Sequence, residues 1–478
     1  MTPEQVLSLA ELLSQKIRDR RGDIATNVSY FKGTEGRMKF ASDEFRDYFR
    51  KRFEGFSDNW CAPVAQAPIE RIHYLGMRLG DKTSADPDVA RRWERSNADR
   101  GLAEAALMMT VAKRSFGLVS PTPKGARITF EHPDSAAVIY DAITRERRAG
   151  MVIWQDEKWE YGQLHLPESV LNVRRQKSLI SSGEHHVPPD AQGWEFNTDA
   201  NAIESKNPLG AVSLVEFRNQ SMLDDDPISD IAGVRAMQDS INLIWAYLLN
   251  ALDYTSLPGR AILGGEKIMV PILDDKGQKT GERPLELDAL IRDRMVHIPG
   301  GKDGKNPTID EWTAADPSPL SAVIEQAIGH VAAQTRTPGH YLLTKSNVGE
   351  VAYELSEAGL VSKTSERISF MTSEVREINR LAALAEGKRD QAAQIEVGKT
   401  LWKKPQYRSE EQLMDGLQKM RAAGFPFQWI AEEYGLSPAD VRRVLQMRRD
   451  EQAEGAAVDL SFLNKPVPDG AATAPAGD

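Results

Sequence analysis

The stretch 334-QTRTPGHYLLTKSNVGEVAYE-354 decides how this chain is read. Upstream of it, DPSPLSAVIEQAIGHVAA carries apolar residues at Leu320, Val323, Ile324, Ala327, Ile328, Val331 and Ala332, the spacing of a helix with one buried stripe. Downstream, Val351, Leu355, Ala358, Ile368, Met371, Val375 and Ile378 restore a helical period over a longer segment. Pro338-Gly339 stops the first helix, because proline lacks the N–H that the ladder needs and glycine tolerates left-handed dihedrals. Two strong helices are thus separated by a polar, aromatic-tipped loop.

The segment before this pair has the same character. Val234, Met237, Ile241, Ile244, Leu248 and Leu252 fall on one stripe, which predicts a single helix over Pro227–Thr255, roughly 40 Å long and ended by Pro258-Gly259. From Arg260 to Ala315 the texture is β, with Arg260-Ala261-Ile262-Leu263, a Gly-Asp-Lys-rich loop, a short helix at LELDALI and strands at RMVHIP and TIDEWTA. An insert of this kind between two long helices marks a small subdomain.

Farther out, the first part of the chain reads as helices: the amphipathic N-terminus, SDEFRDYFRKRF, and DPDVARRWERSNADRGLAEAALMMTVAKRSF opened by Asp86 and Pro87. Strands follow from Gly117 at RITFEHP, AVIYD, GMVIWQD and EKWEYGQLHL, then a loop at GEHHVPPDAQGW, then a turn and extended run at KNPLGAVSLVEFRN. The C-terminal part is helical at SEEQLMDGLQKMRAAG, FPFQWIAEEYG and SPADVRRVLQMRRDEQAEG, with Ser409 and Ser437 as caps. The tail from Gly455 has too few apolar groups to order itself.

Composition bounds the function. The 478 residues are 41% hydrophobic and 27% charged, enough for a core divided among two to four domains. A net charge of -10 argues against a protein that coats DNA electrostatically. The N-terminus has no apolar signal region, and the most apolar run, Leu243 to Leu249, is too short to span a bilayer. With Cys61 as the one cysteine, no intramolecular disulfide can form, and the chain is expected to be soluble in a reducing compartment.

Motifs that could carry chemistry fall short. EVGKT, Glu396 to Thr400, has the end of a phosphate loop, but Ala393 stands where the opening glycine belongs, so a glycine-capped helix end is expected. His185-His186 point to opposite sides of an extended chain, which makes a poor metal pair. Cys61 reads as a small buried residue, and Asp224-Asp225-Asp226 as complements to a helix dipole. We expect no catalytic site, no metal and no cofactor. Ile430–Leu445 does have helix-turn-helix spacing through Ala431, Gly435 and Val441, with Arg442, Arg443, Arg448 and Arg449 on or near the second helix. The alternatives to weigh are therefore a DNA-binding regulator using residues 430–449 and an enzyme whose pocket is not visible in sequence.

The order of segments and several local stretches resemble the portal proteins of tailed double-stranded DNA phages. NWCAPVAQAPIERIHYLG resembles the family's segment ahead of a Trp-containing helix, here Trp93. FEHPDSAAVIYDAITRERRAGMVIW carries a similar Tyr-Asp pair, Tyr140-Asp141. NPLGAVSLVEFRN resembles an Asn-Pro-x-Gly-x-Val-Pro run with Ser213 in place of the last proline. QTRTPGHYLL followed by GEVAYELSEAGL resembles the Thr-Pro-x-x-x-Leu loop and its Gly-Glu helix. The likeness covers roughly residues 25–450.

That resemblance implies a mixed α+β, helix-dominated portal fold assembled into a ring of twelve subunits. Residues 1–225 would be the α/β wing, 226–256 and 316–335 the stem helices, 257–315 the clip, 336–347 the tunnel loop, 348–403 the long wing helix, 404–455 the crown and 456–478 a disordered tail. Arg336, His340, Lys345 and Asn347 would face DNA in the channel, while Ile241, Ile244, Leu248, Ile324 and Ile328 would pack the stem. The implied partners are further copies of the chain, the terminase large subunit, a head-tail adaptor, the major capsid and scaffolding proteins, and duplex DNA held without sequence preference, with no membrane. The implied location is the virion's portal vertex, reached through the host cytoplasm during assembly.

Overall fold

The computed structural model describes all residues except 36–41, 44–55, 81, 83, 178–192, 224–225, 257–259, 264–268, 274–277, 285–307, 312–315, 343–349, 407–409, 437 and 462–478. Helix accounts for 52% and strand for 21%, so the mixed, helix-dominated class holds. The chain divides into two compact units, the smaller comprising Arg37–Glu54 and Asp239–Ile328.

In the larger unit, helix α1 (Pro3–Lys32) begins with a capping box between Thr2 and Gln5 and ends at Gly33, whose left-handed φ of 70° closes the last turn. Its face Val6, Ala10, Leu13 and Ile17 lies on Met151, Ile153, Leu164, Leu171 and Val173. Those residues belong to a six-stranded antiparallel sheet ordered β4 (Ala136–Tyr140), β5 (Arg147–Gln155), β6 (Trp159–His165), β7 (Ser169–Gln176) and β8 (Glu195–Phe196), with β9 (Glu204–Lys206) also pairing β7. A three-stranded sheet, β10 (Leu214–Arg218), β2 (Arg114–Thr122) and β3 (Gly125–Glu131), packs Phe116, Leu118 and Leu214 against Ala136, Val138 and Val152 of the first.

In helix α2 (Cys61–Ile69), Cys61 is buried as a small core residue. The single long helix expected from Asp86 is instead two helices and a strand. Asp86 does cap α3 (Pro87–Arg95), accepting from the Asp88 and Val89 amides. Asn97 at φ 51° then turns the chain into α4 (Ala98–Ala112), and Lys113 at φ 73° ends that helix so that Arg114 starts β2. Asparagine tolerates this left-handed region better than most residues.

Helix α8 (Glu350–Ala385) crosses this unit, with the short connector helix α7 (Gly339–Leu342) ahead of it. Its Met371, Val375, Ile378, Leu381 and Ala382 join Leu102, Met109, Val119, Ile128 and Phe217 in the largest core cluster. Gly117 permits this approach, since a Cβ there would lie 2.4 Å from Ile378 Cδ1. Helix α9 (Arg389–Glu396) follows, and β15 (Lys399–Trp402) returns to pair with β1 (Tyr74–Arg78). Gly398 of EVGKT is a packing glycine, because a Cβ there would sit 3.0 Å from Arg78 O. Helices α10 (Glu410–Ala422), α11 (Phe427–Tyr434) and α12 (Pro438–Ser461) close the unit. The last runs past the predicted start of the tail, in keeping with the helix formers Ala453, Ala456 and Ala457.

The smaller unit holds most of helix α5 (Arg235–Ser256) and the first part of α6 (Ser318–Thr335). Helix α5 starts later than Pro227 because Ala232–Val234 forms a 3₁₀ turn and Ser229 and Asp230 are hydrogen-bonded elsewhere. Asp226 likewise pairs with Lys113 and does not cap a helix, while Asp224 and Asp225 lie outside the described residues. The region read as a Gly-Asp-Lys-rich loop contains a hairpin, β12 (Met269–Leu273) with β13 (Lys279–Pro284), and β11 (Arg260–Leu263) forms a separate antiparallel pair with β14 (Thr308–Glu311). The predicted segments SDEFRDYFRKRF, GEHHVPPDAQGW, LELDALI and RMVHIP lie wholly or almost wholly outside the described residues.

The C-terminal end of α8 is tied to α3 by Glu386, which meets Arg95 at 2.6 Å and Arg92 at 3.2 Å. Burial pushes this carboxyl up, but hydrogen bonds from Arg95, Lys388 and Arg92 outweigh it and hold the group down at about 2, against an ordinary 4.5. Since the folded value is depressed, the stabilisation is present above the ordinary value and is lost as pH falls from 4.5 towards 2. Urea unfolding should therefore show E386Q losing about 1–2 kcal/mol less than the parent over that acid window. Equal acid sensitivity in the two proteins would contradict this role.

Candidate functional site

The connector between α6 and α8 is where the sequence placed its functional residues. Helix α6 ends at Thr335, and the next residue, Arg336, adopts φ 55°, so the turn precedes Pro338-Gly339. Buried Thr337 holds the turn: its amide donates to Ala332 O at 3.0 Å, and its hydroxyl accepts from Thr335 Oγ1 at 2.9 Å. Where a loop was expected over 336–347, residues Gly339–Leu342 form a helical turn, with Pro338 O accepting from the Tyr341 amide at 3.0 Å.

The placed residues differ in environment. His340 Nε2 lies 3.2 Å from Glu357 Oε1, so this ring faces a buried carboxylate of α8. Glu357 Oε2 also meets Arg71 at 2.6 Å, and Arg71 donates to the Tyr341 hydroxyl at 2.9 Å and to Pro405 O at 3.3 Å. Arg336 is the exposed member, 57% accessible and 4.0 Å from Glu366. Gly359 of α8 passes under it, where a Cβ would lie 3.4 Å from that of Arg336. Lys345 and Asn347 lie outside the described residues. Of the helix-packing set, Ile241, Leu248, Ile324 and Ile328 are buried within the chain and Ile244 is half-buried. The buried face of α5 also includes Gln238, Asp239 and Asn242, which the apolar stripe did not indicate.

Farther along α8, beyond Glu357, sits a charge cluster that the sequence reading missed. The Asp230 side chain is fully buried and meets Arg367 at 2.7 Å, Lys363 at 3.2 Å and Asn219 at 2.7 Å. Burial pushes the Asp230 carboxyl up, yet Lys363 and Arg367 outweigh this and hold it below the usual carboxylate range. A signal was available: the core-facing rhythm Leu360, Met371, Val375, Ile378 passes through Thr364 and Arg367. A charge on a buried stripe requires a buried partner.

The remaining motif residues are structural. Ser213 is buried and its hydroxyl lies 2.8 Å from His165 Nδ1, while Asn207 holds the preceding turn through Leu166 O and Ala211 O. Trp93 donates to Asp99 at 2.7 Å, and Asp141 caps its own turn at Ile143 and Thr144. His185 and His186 are outside the described residues. Two helices, α11 and α12, do flank Gly435 at φ 95°, with Ile430, Ala431 and Val441 buried. Two of the α12 arginines are engaged by the chain itself: Arg442 donates to Ala85 O at 3.1 Å, and Arg448 lies 4.9 Å from the Phe427 ring centre. Among the described residues there is no group of three potential metal ligands, and no helix is long and apolar enough to cross a membrane.

No protein-family model matches the chain, and no curated protein matches it. Among solved structures it is similar to a chain from the virion of a native gene transfer agent particle, at 13% identity and a TM-score of 0.39, covering 87% of this chain and 93% of that one. It is also similar to a chain from the neck of the native particle (12% identity, TM-score 0.39, 86% and 98% covered) and one from the neck of the empty particle (12%, 0.40, 86% and 93%). At these scores the likeness assigns the chain no family and no function.

The connector geometry gives a direct test. Glu357→Gln leaves Arg71, 12% exposed, without its carboxylate and should cost about 3–5 kcal/mol in urea unfolding. His340→Ala should cost under about 1 kcal/mol, because Arg71 keeps Glu357. The reverse ranking would show that His340, and not Arg71, anchors the connector.

Proposed function

We propose that this chain is the portal protein of a tailed-phage-like particle, forming the ring at one capsid vertex through which duplex DNA enters and leaves. The observation that carries this reading is the order of elements: an α/β body, a long helix, a small β insert, a second helix, a tight connector, a 36-residue helix and a three-helix cap. That order is the one implied by the local sequence resemblances at residues 59–76, 130–154, 207–219 and 334–360.

In this reading α5 and α6 are stem helices, residues 257–315 a clip that receives the terminase large subunit and later a head-tail adaptor, and residues 404–455 a crown inside the capsid. Major capsid and scaffolding proteins surround the ring during assembly. The connector faces the channel through Arg336, with His340 held back against Glu357. A conduit must let DNA slide, and a chain of net charge -10 with isolated cations grips phosphates weakly. Leu252 on α5 and Val323 on α6 are 41% and 46% exposed, and these are the apolar positions a neighbouring copy would cover.

Ile324 and Ile328 are buried in the single chain, so a charge there tests folding and not assembly. The assembly test is L252D with V323D. The pair should abolish sedimentation of a large ring, leave helix content unchanged, and give a species near 53.1 kDa. Normal ring sedimentation of the double variant would remove these helices from the subunit interface. The regulator reading through residues 430–449 is supported by the turn geometry. It would displace the portal reading if the full chain bound one duplex sequence about a thousandfold tighter than random DNA.

A further inference from the structure

Beside the connector lies a polar cavity of about 230 Å³, far larger than the ~10–15 Å³ one water needs. Among its lining residues are Asp230, Arg336, Lys363, Glu366 and Arg367, three cations against two carboxylates, which leaves one positive charge in excess. Lys363 and Arg367 are one helical turn apart on α8, and their side chains are only 6% and 1% exposed. Arg367 uses one terminal nitrogen on Asp230 and the other on Glu366 at 3.1 Å, but its buried Nε finds no acceptor among the described residues. An unsatisfied donor of a buried cation is costly, and an acceptor in the cavity reaches this one only with a shift of the guanidinium, because Nε itself has no exposed surface.

We propose that this cavity binds a phosphate group, free or esterified, through Arg367 and Lys363, with Arg336 at its mouth. A tetrahedral oxyanion supplies several acceptors and a negative charge for the one positive charge that Asp230 and Glu366 leave uncompensated. Burial holds the Lys363 ammonium below the usual lysine range; Asp230 offsets part of this, and Arg367 and Arg336 add smaller pushes in the same direction as burial. The proposal does not rest on the portal reading, because every lining residue belongs to one unit of one chain.

The experiment uses the full chain, with sodium phosphate titrated against sodium chloride at matched ionic strength and followed by calorimetry and by Tm. The expected result is phosphate binding and a rise in Tm that chloride does not reproduce. R367K, which keeps the charge for Asp230 but removes Nε and the planar fork, should weaken phosphate at least about tenfold. R336Q, at the exposed mouth, should weaken it about threefold while leaving the fold untouched. A short DNA duplex added to the phosphate complex separates the sources: displacement makes the ligand an esterified phosphate, and no displacement makes it the free ion. Phosphate acting no differently from chloride, or binding equally to parent and both variants, would overturn the proposal.

Discussion

The structure depends on where one 36-residue helix can bury charge. The C-terminal half of α8 is a conventional core element, with Met371, Val375, Ile378 and Leu381 fully enclosed. Its N-terminal half buries Glu357, Lys363 and Arg367 instead. Each is compensated by a residue distant in sequence: Arg71 for Glu357, and Asp230 for the two cations. Replacing such a cluster with apolar residues could leave stability unchanged, but removing one member leaves an uncompensated charge in low dielectric. The cluster therefore fixes the register of α8 against the β10–α5 segment more firmly than a sliding apolar contact would.

That register determines what the connector presents. With Glu357 occupied by Arg71 and His340, and Thr337 tied back to α6, the chain leaves α6 through a single left-handed residue. Arg336 is thereby turned outward while Thr337 and His340 are held inward, so among the described residues of the segment it is the accessible cation. In a DNA conduit this is the useful arrangement, since one weak phosphate contact per subunit guides the duplex without retaining it.

Much of the fold was legible in the sequence and part of the connector was not. Periodicity located α1, α6, α8 and the three terminal helices, because each carries an apolar stripe long enough to outweigh local propensity. It merged α3 and α4, since a left-handed Asn97 leaves no mark on the hydrophobic period. It also missed β7, SVLNVRRQ, and β15, KTLW, whose charged residues hide the alternation. At the connector, the turn chemistry of Pro338-Gly339 marked the helix end, although the left-handed residue that makes the turn is Arg336. His340 was expected to face outward because its partner Glu357 lies 17 residues away, and pairing across that distance is a tertiary fact.

The central claim is that this chain works as a closed ring around a channel wide enough for duplex DNA. Negative-stain electron microscopy of the purified full-length protein tests it most directly. The account predicts round particles with a stain-filled central hole and rotational symmetry, while a field of compact globular monomers across low and moderate salt would contradict it.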